Sequence, residues 1–217
     1  MTESTIETIP RLLVRNIPRE IIMGIQEALV VGAQRAYVAA RGMDDGHLSS
    51  VVGQLRHFHM NESFQRVLVV SNASPSPIRG NTIVTGRTGV FTLARFNIKE
   101  GLWVNGRRSQ TRRQMSMANK AIEPLVQPEL FAEYEPPSEG IVFFVASFAA
   151  SLHIQPEFPV SIQVAVPDRN MQGWLFREPI DMFAKRYDQK PVSQQDDLAK
   201  PKLKKNIGKQ DKDGTTQ

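Results

Sequence analysis

Between residues 18 and 42 the apolar and small positions fall into two rows at spacings of four. Ile21, Ile25 and Leu29 form one, extended by Tyr37; Gly24, Ala28, Gly32, Ala36 and Ala40 form the other. That spacing keeps each row on one helical face. Pro18 is suited to a helix start, and Gly42 is expected to supply a left-handed C-cap. Two glycines in a helix interior cost about 1 kcal/mol each against alanine, so the small row is expected to admit another backbone closely enough to offset that cost. Its partner is either a helix or sheet of the same chain or a second copy, which makes Gly24, Ala28, Gly32 and Ala36 a candidate homodimer seam. Upstream, residues 1–17 are polar and contain Pro10, which predicts an arm or a short helix over 9–14. Downstream, residues 49–68 predict a second long helix, capped by Ser49 or Ser50, with Val51, Val52, Leu55 and Phe58 turned inward.

The period then changes from helical to alternating. Residues 82–85 and 90–98 are β-branched and aromatic runs around Gly86-Arg87-Thr88-Gly89, which predicts a hairpin with its turn at those four residues. In the second run Val90, Thr92, Ala94, Phe96 and Ile98 share one face and Phe91, Leu93, Arg95 and Asn97 the other, so Arg95 and Asn97 are expected at a polar rim. A third short strand is expected over 102–105, followed by a helix over about 109–122. The runs 141–148 and 160–166 read as buried strands. Their eleven-residue link is too short for a parallel crossover helix and predicts an antiparallel pair. A further strand is expected over 174–176, and Pro179 opens a last helix carrying Ile180, Phe183, Ala184 and Tyr187. The elements add up to an α+β domain over residues 1–188: a mostly antiparallel sheet of five or six strands, packed by two N-terminal helices and later ones. Residues 189–217, rich in Lys, Gln and Asp, are expected to be a disordered basic tail.

Charge changes the picture because it is unevenly placed. The chain has 217 residues and a net charge of +5, yet residues 79–120 hold nine Lys/Arg and one acid, and 121–188 hold four and ten. Such asymmetry points either to a polyanion face or to internal pairing of the two segments. Absence of cysteine excludes thiolate metal sites, disulfides and cysteine nucleophiles, and fits a reducing compartment; with no secretory leader and no long apolar run, a cytoplasmic, membrane-free protein is expected.

The leading functional expectation is DNA or RNA binding by Arg79, Arg87, Arg95, Arg107, Arg108, Arg112 and Arg113, because the guanidinium fork binds phosphate bidentately and stacks on bases. In a second reading these arginines pair with Glu123, Glu129, Glu133, Glu135 and Glu139 of the proline-rich connector 123–139, leaving a protein-interaction or assembly module. A third is a nucleic-acid-processing enzyme using His57, His59 and Glu62. His59 and Glu62 are three apart and share a helical face, whereas His57 and His59 diverge by about 200°, which disfavours joint metal binding. No metal is expected on that ground, and no cofactor, since the glycines around Arg79 and Arg87 match no phosphate-loop spacing.

Overall fold

A computed structural model of the protein describes residues 5–126 and 137–188. The predicted C-terminal tail, and Glu129, Glu133 and Glu135 of the connector, lie outside the described residues. Helices α1 (Thr5–Asn16), α2 (Arg19–Ala40) and α3 (Asp45–Val70) come first, then the hairpin β1 (Thr85–Thr88) and β2 (Phe91–Lys99). A 3-10 helix (Trp103–Arg108) and the short α4 (Gln110–Ser116) follow, with two further 3-10 turns to Leu125. After residue 137 come β3 (Gly140–Phe148), β4 (Ser161–Pro167), β5 (Trp174–Pro179), α5 (Ile180–Lys185) and a 3-10 turn (Arg186–Asp188).

The five strands lie in sequence order, and three of the four pairings are antiparallel; β2 and β3 are parallel, with Phe91 opposite Gly140 and Lys99 opposite Phe148. Antiparallel pairing of β3 with β4 agrees with the link length, and the whole is the α+β arrangement expected. Of the arm or short helix expected over 9–14 the structure has the helix, extended to Thr5–Asn16: Ile9, Leu13 and Ile17 are all buried, and these apolar positions at spacings of four order the segment.

Both faces of the sheet are covered. On one, Phe91, Leu93, Val142, Phe144 and Val164 meet Ile25, Leu29, Met60, Phe64 and Phe183 from α2, α3 and α5. On the other, Ala94, Phe96, Ile98, Ile141, Phe143 and Val145 are packed by Trp103, Met115 and Met171. The continuous apolar run of β3, buried at every residue, follows from this two-sided cover. Buried Asn119 fastens the second cover to the sheet, accepting from the Ile141 N–H at 2.7 Å and donating to the carbonyls of Ile141 and Pro167.

The small row on α2 meets α3 of the same chain. A Cβ on Gly32 would stand 2.8 Å from Met60 Cα and 3.0 Å from the His59 carbonyl oxygen, and one on Gly24 would strike Val67. The row proposed as a homodimer seam is therefore filled from within, since close approach of two long helices uses up the space that glycine leaves.

Several local expectations shift. Gly42 is not left-handed: α2 ends through Arg41 in the right-handed region, with the Arg41 N–H donating to Tyr37. Helix α3 starts at Asp45, so Ser49 and Ser50 are interior. Its buried row is Val52, Arg56, Met60 and Phe64, while Val51, Leu55 and Phe58 are only half-buried. The hairpin turn is the pair Gly89-Val90, because Thr88 faces Phe91. Gly89 has φ +53 and abuts Asn16, whose side chain accepts from the Val90 N–H. Gly86 lies inside β1, where a Cβ would collide with Leu68 and the Ala73 carbonyl; it is required by close approach and not by a turn. Residues 102–105 form no strand, because after Gly101 (φ +74) the chain tightens into the 3-10 helix.

Candidate functional site

The seven arginines singled out in the sequence divide sharply. Arg79, Arg87, Arg107, Arg108 and Arg113 are exposed; Arg112 is half-buried and Arg95 is 2% exposed. Arg95 leaves β2 toward α3, as the alternation requires, but α3 extends over that end of the sheet and turns the expected rim into an interior. There its Nε donates to Asn61 Oδ1 (2.9 Å), Nη1 to Asn97 Oδ1 (2.9 Å) and Nη2 to the His57 carbonyl (2.7 Å). Three neutral oxygens hold it and no carboxylate neutralises it. Burial pulls its pKa down to about 9, so it remains a cation at neutral pH. It cannot touch a phosphate on the surface.

Arg112 has a local task. Its Nε donates to the Gly106 carbonyl (2.7 Å), Nη2 to that of Asn105 (3.1 Å), and the guanidinium lies 4.6 Å from the Phe96 ring centroid. It satisfies carbonyls at the end of the 3-10 helix while Ser109 caps α4 by accepting from the Arg112 N–H. Burial lowers its pKa as well.

Of the five exposed arginines, Arg87 stands opposite Thr92 near the start of β2, whereas the 3-10 helix that carries Arg107 and Arg108 packs by Gly106 against Phe96 in the second half of that strand. Among the described residues no ion pair reaches any of the five. Glu123, the connector acid nearest in sequence, is taken by Arg169: its Oε2 lies 3.4 Å from Nε and its Oε1 accepts the Arg169 N–H at 2.7 Å.

His57, His59 and Glu62 also part company. Glu62 Oε2 lies 3.4 Å from Arg35 Nη2 and 3.6 Å from His59 Nδ1, the latter too long for a hydrogen bond, and His59 Nδ1 is buried without a partner. His57 belongs to the Arg95 cluster. Asn61 donates to the Thr82 carbonyl and accepts from Arg95, which fixes its amide and points Nδ2 at His57 Nε2, 3.2 Å away. That nitrogen is thereby an acceptor. Burial, then the charge of Arg95, lower the His57 pKa, opposed by a hydrogen bond to the Asn81 backbone. Among the described residues no three His, Cys, Asp or Glu side chains converge as a metal site would need, and no helix is long and apolar enough to cross a membrane.

No protein-family model, no curated protein and no solved structure matches the chain. Arg56, Asn61, Asn97 and Asn119 were missed as organising residues. For Arg56 a signal existed: it occupies the same row at spacings of four as Val52, Met60 and Phe64, so the helical period alone places its cation under the apolar cover. Asn97 shared the face of Arg95 by alternation, whereas Asn61 and Asn119 carried no comparable pattern.

Proposed function

We propose that the chain binds nucleic acid through Arg107, Arg108 and Arg113, on the outer side of the 3-10 helix and α4, with Arg79 and Arg87 as outlying contacts. The carrying observation is that these guanidiniums are exposed and have no carboxylate partner among the described residues. Cations that serve the fold are buried or tied, as Arg95 and Arg112 are; cations left in water beside one another repel and favour a polyanion. Arg95 and Arg112 support the surface from below by holding β2 and the 3-10 helix. Action in the cytoplasm belongs to the same reading. Anisotropy titrations with labelled duplex DNA, single-stranded DNA and single-stranded RNA at low salt test it. Saturable binding to at least one, lost when Arg107, Arg108 and Arg113 are changed to glutamine, is expected; no binding to any of the three sinks it.

A second reading is favoured by the apolar neighbours of these arginines. Val104 is 59% and Met117 61% exposed, and Leu102 is exposed with them. A mixed basic and apolar surface suits an acidic protein partner, and in that case removing Val104 and Met117 weakens the complex as much as removing the arginines.

A further inference from the structure

Between the N-terminal half of α3 and the ends of β2 and β3 lies a cleft of ≈ 310 Å³, lined by Ser49, Gly53, Arg56, Asn97, Lys99 and Phe148 among others. None of its lining residues is acidic, and two are cations. Arg56 is 7% exposed; its Nη2 donates to the Pro156 carbonyl, its Nε is buried without an acceptor, and its guanidinium lies 3.8 Å from the Phe148 ring centroid. Asn97 gives its oxygen to Arg95, so what it has left to offer is its amide N–H groups. The buried charge of Arg95 therefore stands directly behind this wall. The cleft is rich in donors and positive charge, and its flank is apolar.

We infer that this cleft binds a small oxyanion, a phosphate or carboxylate group, on a compound whose remaining body lies against the apolar flank of Ala149, Ala150 and Leu152. Two uncompensated cations held near neutral oxygens are costly without an anion and strongly attractive to one that enters a site partly withdrawn from water. Burial lowers Arg56 to about 10 with no neighbouring charge opposing it, which fits a guanidinium lacking its counter-ion. Gly53 leaves the space open: a Cβ there would meet nothing within 4 Å, so a larger side chain can fill the cleft without straining the helix.

The probes are inorganic phosphate, phenyl phosphate and benzoate, read by melting temperature and calorimetry against sodium chloride of equal ionic strength. Phenyl phosphate or benzoate is expected to raise the melting temperature saturably and to exceed inorganic phosphate, and the better of the two names the oxyanion. Lys99→Gln weakens that binding about tenfold, the lower range for a hydrogen bond to a charged group. Gly53→Leu abolishes it while keeping or raising the melting temperature of the free protein. The variant with Arg107, Arg108 and Arg113 changed to glutamine retains it, which separates this site from the nucleic-acid surface. No saturable effect beyond the chloride control overturns the inference, as does an effect that survives both Lys99→Gln and Gly53→Leu, since the anion then sits elsewhere.

Discussion

The interior beneath α3 and the outer side of the 3-10 helix and α4 are fed by the same basic stretch of sequence, yet they treat arginine in opposite ways. Under α3, Arg95 is held by Asn61, Asn97 and the His57 carbonyl, with no counter-charge. Outside, Arg107, Arg108 and Arg113 stand in water with no partner among the described residues. The first arrangement makes the cation costly to the fold and the hydrogen bonds around it indispensable; the second leaves the fold almost indifferent to charge. Proximity in sequence thus says little about shared purpose. Clustering within a 42-residue window reflects two jobs, and only the exposed one can meet a polyanion.

The sharpest way to break this contrast is Asn61→Ala. It leaves the Arg95 Nε–H buried without its acceptor and the Thr82 carbonyl without its donor, so a loss of about 3 kcal/mol in urea denaturation is expected. A loss below about 1 kcal/mol would show that Arg95 does not depend on that cluster. Asn97→Asp acts in the other direction by giving Arg95 the carboxylate it lacks, at an atom already 2.9 Å from Nη1. A gain of about 1–2 kcal/mol is expected, together with weaker anion binding in the adjoining cleft. Lower stability of this variant at neutral pH would contradict an unneutralised Arg95.

A smaller effect concerns pH. Burial and Arg95 hold the His57 pKa below its ordinary value in the folded state, so on acidification the unfolded chain takes up that proton first. Stability from this group is complete above about pH 6.5 and declines as the pH falls through the lowered folded value. Replacing His57 with Gln should flatten stability measured between pH 7 and 5. An unchanged slope would place the titration on other groups.

The period of the chain made most of the fold legible. Spacings of four located α2 and its need for a closely approaching partner, though not that α3 is that partner; alternation assigned the faces of β2 correctly down to Arg95 and Asn97; continuous apolar runs marked β3 and β4. Beside local misses at Gly42, at the start of α3 and at 102–105, what failed were choices that depend on contacts distant in sequence. Gly86 reads as a turn residue until Leu68 and Ala73 are seen against it, and Arg95 reads as a rim residue until the length of α3 is known. Alternation names a face, but which element covers that face, and how far along, is decided by packing. The candidate site was legible as an excess of charge and no further, because exposure and pairing of single guanidiniums leave no periodic trace.

Salt dependence of nucleic-acid binding tests the division of the arginines most directly. If Arg107, Arg108 and Arg113 each neutralise one phosphate on a duplex, they contribute about −2.7 to the slope of log K against log salt, or roughly 40-fold weaker binding between 50 and 200 mM. Changing all three to glutamine should remove that component and leave thermal stability within about 1 kcal/mol, because exposed charges contribute little to it. A slope that stays the same, or a variant that unfolds, would contradict the account: the first would place the phosphate contacts elsewhere, and the second would make these arginines part of the fold.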